Sequence, residues 1–182
     1  MNKLYKLLPD YENYSSFLME EDSLSELEKY WNWQDINLET YKKIKFKLYN
    51  AENGTKNYKF DVTKRDNFLI LSERAVEILK PIVEGKGQFL EIITPSKRKK
   101  FIGFYPSNVY SNDLADLSKS DWGENEKGKL FFKIVFQKYP QDEYFFVVDG
   151  SALTIYATEK FKKILEDNNL KGLCFEEVSI ND

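Results

Sequence analysis

One pattern occurs twice in this chain, and the repetition constrains the fold more than any other feature of the sequence. The two copies align without a gap: they are FLILSERAVEILKPIVEGKGQFLEI at residues 68–92 and TIYATEKFKKILEDNNLKGLCFEEV at residues 154–178. Each copy runs from a short apolar stretch through Ser or Thr into an amphipathic segment, and then through Gly into a second apolar stretch. This order predicts a strand, a helix N-cap, a helix, a glycine turn and a second strand. The identical pairs are Glu73 and Glu159, Ile78 and Ile164, Leu79 and Leu165, Phe89 and Phe175, and Glu91 and Glu177.

Two origins of the repeat are open at the level of sequence. Strand–helix–strand units are common and use the same residue types at their caps and turns, so convergence explains the few identities. An internal duplication would instead place each helix against a shared sheet. In either case the repeat concerns architecture and carries no chemistry.

The ends of the repeated helices have specific signals. Ser72 and Thr158 stand at the two predicted N-caps, and Glu73 lies in the positively polarised first turn of its helix. Pro81 predicts a kink or an early end of the first helix, because proline removes a backbone donor. Gly172 closes the second helix before the last strand.

The remaining chain favours strands. It contains 14 Phe, 12 Tyr and 3 Trp, but only 5 Pro and 8 Gly, a composition typical of sheet proteins. We expect a single α+β domain with a mixed, largely antiparallel sheet, two to four packed helices and the repeated strand–helix–strand unit. Residues 65–182 would form its core, and residues 1–64 an N-terminal helix and hairpin lobe.

Local signals predict the elements of that lobe. A capping box at Ser23 and Glu26 predicts a helix start. The pair Asn53-Gly54 predicts a tight hairpin turn between strands at residues 43–50 and 57–62. Further along, two more predicted strand pairs are GKGQFLEIIT with KFIGFYPSNVY, and KLFFKIVFQ followed through a turn by EYFFVVD. A short helix is predicted around NDLADLSKS.

The chain has no histidine, which excludes many kinds of site. Imidazole is the commonest general acid–base group and the commonest metal ligand, and it activates serine and cysteine nucleophiles. The acidic loops lack the spacing of a calcium-binding loop. We therefore expect no catalytic residues, no metal site and no cofactor. The single Cys174 excludes a disulfide within the chain, and its neighbours Leu173 and Phe175 predict a buried position.

Charge and hydropathy limit the classes of binding partner that this chain is expected to have. The formal net charge is −3 and the pI is about 5.3, so no global positive field attracts nucleic acid or an anionic membrane. The one basic run, SKRKK at residues 96–100, falls at a predicted hairpin tip and is typical of a solvated loop. There is no secretory signal and no apolar run of membrane-spanning length, so we expect a cytoplasmic protein.

Loops that combine aromatic residues with carboxylates are the candidate binding sites. Aromatic residues anchor many protein interfaces, and acidic rims attract basic partners. The alternative interpretation is that these are ordinary solvated loops. The candidate partner-binding residues are Tyr11, Tyr14, Glu20, Glu21, Asp22, Trp122, Glu124 and Glu126.

Four stretches carry a resemblance to a known family: ILSERAVEIL, YPSNVYSNDLADLSKSD, IYATEKFKKIL and LKGLCFEEV. They resemble an immunity-protein family of bacterial polymorphic toxin systems, the one numbered eleven and formerly a domain of unknown function. The resemblance covers about residues 66–179, and the chain departs from the pattern at Thr158, where Ser is usual, and in DLADLSKS. The matching residues are Ser72, Glu73, Arg74, Asn108, Val109, Leu117, Ser120, Thr158, Glu159, Lys160, Gly172, Phe175 and Glu176.

The resemblance implies a cytoplasmic, non-enzymatic protein that binds and neutralises a co-encoded toxin domain, with no catalytic residues of its own. Two alternatives remain open: an enzyme that uses carboxylates, with magnesium as a possible cofactor, and a structural or regulatory protein-binding module. The sequence leaves the oligomeric state and the toxin's activity undetermined.

Overall fold

Strands make up most of the regular structure in this computed structural model, which describes residues 3–23, 45–51, 56–126, 128–151 and 153–181. The helices are α1 (Glu73–Val83) and α2 (Glu159–Asp167), with a short 3-10 helix at Asn112–Leu114. No helix in these ranges is long and apolar enough to cross a membrane. The strands are β1 (Leu4–Pro9), β2 (Phe17–Met19), β3 (Phe46–Asn50), β4 (Val62–Arg65), β5 (Phe68–Ser72), β6 (Gly87–Leu90), β7 (Ile92–Ile93), β8 (Phe101–Pro106), β9 (Val109–Tyr110), β10 (Asp121–Asn125), β11 (Gly128–Lys133), β12 (Phe145–Val148), β13 (Tyr156–Thr158) and β14 (Leu173–Glu177).

The described strands form four sheets. Their orders are β14-β1-β13-β12-β9, β4-β5-β8-β6, β2-β3-β7 and β10-β11. Most neighbouring strands are antiparallel, and the parallel pairs are β9 with β12 and β3 with β7. The predicted α+β class with a mixed, largely antiparallel sheet arrangement is therefore confirmed.

The two copies of the repeat form two units of the same topology. In one unit the strand order is β4-β5-β8-β6, and α1 connects β5 to β6. In the other unit the order is β12-β13-β1-β14, and α2 connects β13 to β14. In each unit, the strand that lies between the two helix-connected strands is antiparallel to both of them. It is β8 in the first unit and the N-terminal strand β1 in the second.

The strand register is also the same in the two units. Gly87 at the start of β6 lies opposite Pro106. Leu173, its equivalent at the start of β14, lies opposite Pro9. This agreement of order, direction and register over four strands exceeds what a common strand–helix–strand unit requires, and it supports an internal duplication. Other equivalent pairs are Ser72–Phe101 with Thr158–Leu4, Leu71–Ile102 with Ala157–Tyr5, and Val62–Leu71 with Phe145–Ala157.

The units pack against each other through equivalent faces. Leu69 and Leu71 of β5, Ala157 of β13 and Ile155 just before β13 all lie in one hydrophobic cluster with both helices, which we call the shared core. Because side chains alternate along a strand, the opposite faces of the two sheets point away from it. The first outer cluster contains Phe17, Phe46, Leu48, Phe60, Phe68, Ile70, Phe101 and Tyr105. The second outer cluster contains Leu4, Phe131, Ile134, Phe136, Phe146, Val148 and Tyr156.

The predicted hairpin between residues 43–50 and 57–62 is wrong. Strand β3 pairs with β2 on one side and with β7 on the other, so neither of its edges is free for residues 57–62. The rings of Tyr58 and Phe60 instead pack in the first outer cluster, and Val62 starts β4, which pairs with β5. The proposed Asn-Gly turn lies outside the described residues.

Two described strands of the predicted N-terminal lobe share sheets with residues 65–182, since β1 lies inside the five-stranded sheet and β4 pairs with β5. Residues 21–23 are already helical, and the Ser23 hydroxyl accepts a hydrogen bond from the Lys47 amide at 3.0 Å. Ser23 is therefore not the predicted N-cap, and Glu26 lies outside the described residues.

Several other local predictions need correction. Strands β11 and β12 do not pair with each other, since β11 pairs with β10, and β12 pairs with β13 and β9. The predicted helix near residue 112 is only a 3-10 turn, and Ser111 caps it. Helix α1 continues two residues past Pro81. Gly172 does not close α2, which ends at Asp167 and is followed by Asn169 in a positive-φ conformation. The β6–β8 pairing and both repeated helices are confirmed.

The two N-cap positions differ in chemistry. Ser72 Oγ accepts from the Ala75 amide and donates to the Asp61 carboxylate, both at 3.1 Å. Thr158 Oγ1 makes no cap bond and donates instead to the Glu143 carbonyl at 2.7 Å. The N-cap prediction is therefore confirmed for the Ser72 side chain and wrong for that of Thr158.

Ser72→Ala and Thr158→Val each remove only a hydroxyl, so they form a matched pair. We expect Ser72→Ala to lower the free energy of unfolding by about 2 kcal/mol, because it deletes the cap and removes one of the hydrogen bonds to the buried Asp61 carboxylate. Thr158→Val should cost about 1 kcal/mol, since one hydrogen bond is lost. Urea denaturation measures both, and equal losses would contradict the difference in their roles.

Candidate protein-binding surface

Strands β10 and β11 form a two-stranded ribbon whose faces have different environments. Trp122 lies opposite Phe131, and Glu124 lies opposite Lys129, so these four side chains share one face. Phe131 is buried in the second outer cluster, and the half-buried Trp122 packs against that cluster. This face therefore attaches the ribbon to the body of the protein.

The predicted anchor Trp122 already has partners within the protein. Its indole N–H donates to the Leu117 carbonyl at 3.0 Å. The Lys129 ammonium lies 5.4 Å from the centre of the indole ring and 3.9 Å from the Glu124 carboxylate. A cation over an aromatic ring is attracted to it, so these contacts of Trp122 stabilise the ribbon.

The exposed aromatic residue of the ribbon is Phe132, which the sequence analysis did not single out. It is 68% exposed and lies on the face opposite to Phe131. Its ring approaches the position that a side chain at Gly123 would occupy, at 3.7 Å. The pair Phe131-Phe132 was the available signal, because adjacent strand residues point to opposite faces and only one of them can be buried by the same core.

Exposed residues of the ribbon and of the loop before it form what we call the ribbon surface. It combines two apolar side chains, Phe132 and the 40% exposed Leu117, with three carboxylates. Glu124 and Glu126 were predicted from the sequence, and both are exposed here. The members of the ribbon surface are Leu117, Asp121, Glu124, Glu126 and Phe132.

The other predicted group lies elsewhere. Tyr11 is 58% exposed, and Glu21 and Asp22 are exposed as well. Tyr14 is half-buried, with its ring edge-on to a phenylalanine of the first outer cluster, and Glu20 forms an ion pair at 3.8 Å with a lysine of β3. Trp122 belongs to the second outer cluster, and the shared core separates the two clusters. The structure therefore does not join the two groups into one surface.

Cys174 is exposed, so its predicted burial is wrong. It lies in β14 at the edge of its sheet, where alternate side chains face the core and the solvent. Partial desolvation, together with the negative charges of Asp10 and Glu12, raises the pKa of the thiol. A raised pKa disfavours the thiolate, which is the reactive form.

The residues that carry the family resemblance have structural roles at the contact between the two units. Arg74, in the first turn of α1, donates to the backbone carbonyls of Asn168 and Asn169 at the end of α2. It also forms an ion pair at 3.3 Å with Asp61. A cation at the carboxyl end of a helix complements its dipole, so the motif that begins at Ser72 joins the two halves of the shared core.

Lys64 has an ionisation that the sequence did not predict. Its ammonium donates to the Leu153 carbonyl at 2.8 Å. Burial, and to a smaller degree the nearby positive charges of Lys6 and Arg65, lowers the pKa of Lys64 to about 8, against a smaller opposing effect of Asp66. Near pH 8, about half of the Lys64 side chains in the folded protein are therefore neutral.

Stability should therefore rise with pH. The unfolded chain holds the Lys64 proton up to its ordinary pKa of 10.5, whereas the folded protein releases it near pH 8. Between these values the unfolded state binds more protons, so the free energy of unfolding increases. We expect about 2 kcal/mol over this window, and no such increase in Lys64→Met. The exposed Lys163→Met is the matched control, and an unchanged pH profile in Lys64→Met would refute the assignment.

No group of three or more metal-ligating side chains occurs within the described ranges. No protein-family model matched this chain, and no curated protein matched it either. The family resemblance therefore rests on the quoted motifs alone.

Proposed function

We propose that this protein is a non-enzymatic immunity protein, which binds and neutralises a co-encoded bacterial toxin domain in the cytoplasm. The motif resemblance supports the class of protein. The observation that carries protein binding is the ribbon surface, a well-anchored hairpin that has a 68% exposed phenylalanine on one face and exposed carboxylates at Asp121, Glu124 and Glu126.

The ribbon surface has the features of a binding site because its apolar and charged parts have different roles. Phe132 and Leu117 offer apolar area, and a partner that covers them gains the free energy of removing this area from water. Asp121, Glu124 and Glu126 favour a basic partner and speed association more than they add affinity. The contacts of Trp122 fix the hairpin before binding, which lowers the entropy lost on association.

Co-expression tests this function. The partner to use is the C-terminal domain encoded by the gene immediately upstream. We expect this domain to stop bacterial growth when expressed alone, and growth to be restored when the present protein is co-expressed. The two chains should also co-purify. A toxic domain that remains toxic and does not bind would overturn the proposal.

Phe132→Ala should weaken the affinity for that domain by about 30-fold, because it removes the apolar anchor of the ribbon surface. The free energy of unfolding should change little, since the ring is exposed. Tyr11→Ala is the matched control, as it removes an exposed aromatic ring from the other predicted group. Isothermal titration calorimetry measures both affinities, and a large loss for Tyr11→Ala alone would place the interface on that group.

A further inference from the structure

Strand β14 has one side that is paired with β1 and one side that is open. The amide of Val178 donates to the Leu4 carbonyl, and that of Asp10 donates to the Gly172 carbonyl, while Leu7 donates away from β14 to Ile155. Since hydrogen-bonding directions alternate along an antiparallel strand, the backbone groups of residues 174 and 176 point toward β1. The backbone groups of Phe175 and Glu177 therefore point outward, and they have no hydrogen-bond partner among the described residues.

Open edges of this kind are usually protected, because they can pair with other chains. The equivalent edge strand of the first unit, β6, leads directly into β7, which pairs with β3. In addition, the Glu91 carbonyl between β6 and β7 accepts a hydrogen bond from the Phe46 amide. Among the strands that the structure describes, the sheet order places no such neighbour beside β14, so no described strand covers this second of two equivalent edges.

The charges at this edge indicate the kind of strand that it can accept. Strand β14 contains the exposed carboxylates of Glu176 and Glu177 and no cationic residue. Glu177 forms an ion pair with Lys3 at 2.7 Å, so the carboxylate that is open to a partner is that of Glu176, which lies opposite Lys6 of β1 without an ion pair among the described residues. Asp10 and Glu12 add negative potential, which is felt at Cys174 in the middle of the strand. A second copy of this chain would bring carboxylates against carboxylates, whereas a lysine-bearing strand would be attracted.

Space for a side chain exists beside the edge. A cavity of about 90 Å³ lies between β11 and the outer face of the five-stranded sheet, and Phe132, Glu176 and Glu177 contribute to its lining. Phe132 is also part of the ribbon surface, so a partner bound there is next to the open edge.

We infer that the open edge of β14 accepts an extended, lysine-bearing segment of a partner protein as an additional strand of the five-stranded sheet. Backbone hydrogen bonds to Phe175 and Glu177 would hold this strand, and the carboxylates would select its charge. This inference deepens the proposed function by naming the segment that the partner presents. Its test uses a synthetic peptide, so that the two proposals can fail separately.

The probe is a peptide of about eight residues, a usual strand length, in which lysine alternates with valine. The control peptide replaces every lysine with glutamate. Amide hydrogen exchange, followed by NMR, should show that the lysine peptide protects the amides of Phe175 and Glu177. The amides of Cys174 and Glu176 should not change, because they already face β1. Weak or absent binding of the glutamate peptide is expected.

Two variants separate backbone pairing from charge. Glu177→Pro and Glu177→Ala both delete the carboxylate, but only proline removes the outward N–H. We expect Glu177→Pro to bind the lysine peptide at least about tenfold more weakly than Glu177→Ala, since a backbone hydrogen bond is lost. If the proline variant does not fold, the protection pattern of the unmodified protein decides the question.

Three results would overturn the inference. The first is no binding of the lysine peptide, or binding that protects other amides. The second is equal affinity for the two peptides, or for the two variants. The third is protection of Phe175 and Glu177 that rises with protein concentration when no peptide is present, which would identify a second copy of the chain as the occupant.

Discussion

Replacing Gly172 with alanine is expected to lower the free energy of unfolding by about 4 kcal/mol, as the sum of a backbone and a steric contribution. Gly172 has φ +118°, a conformation that side-chain-bearing residues rarely adopt. A Cβ at this position would lie 2.5 Å from the Phe60 Cβ and 2.5 Å from the Val62 carbonyl oxygen. The chain cannot move away easily, because the amides of Asp61 and Val62 both bond to the Lys171 carbonyl, at 2.7 and 3.0 Å.

Gly128→Ala is the matched control for this prediction. Gly128 has φ +115°, nearly the same backbone strain, but no atom lies within 4 Å of its Cβ position. We expect a loss of only about 1 kcal/mol there. The difference between the two variants in urea denaturation isolates the close approach at Gly172. Equal losses would show that backbone strain alone explains the glycine.

Asp61→Ala should destabilise the protein by about 3 kcal/mol, because it removes a buried carboxylate that Ser72, Lys99 and Arg74 share. The carboxylate of Asp61 lies 3.2 Å from the Lys99 ammonium and 3.3 Å from the Arg74 guanidinium, and it accepts from Ser72 Oγ at 3.1 Å. Its side chain is only 11% exposed. Asp61→Asn should lose less than Asp61→Ala, since an amide oxygen still accepts the Ser72 hydrogen bond.

The control is Asp113→Ala, which breaks the Asp113–Lys138 pair. That pair has a 2.8 Å separation, but both side chains are 60% exposed. Water screens such a pair, so the loss should be well below that at Asp61. A loss at Asp113 as large as at Asp61 would mean that burial does not set the strength of these ion pairs.

The sequence by itself determined the parts of the fold that depend on neighbouring residues. The repeated strands and helices occur where the pattern places them, and Ser72 caps α1, because helix periodicity and N-capping are local effects. Ser72 and Gly172 show this best, since each has the conformation that its residue type predicts. The β6–β8 hairpin was likewise predicted from the sequence and is present in the structure.

Tertiary structure alone decided which strands pair and which faces are covered. No local sequence signal predicts that β1 lies between β13 and β14, or that β2 and β7 pair with the two edges of β3. Strand pairing depends on contacts between residues far apart in the chain. Side-chain exposure follows from this pairing. Phe132 is exposed and Trp122 is engaged because the ribbon packs on one face, and Cys174 is exposed because its strand ends a sheet.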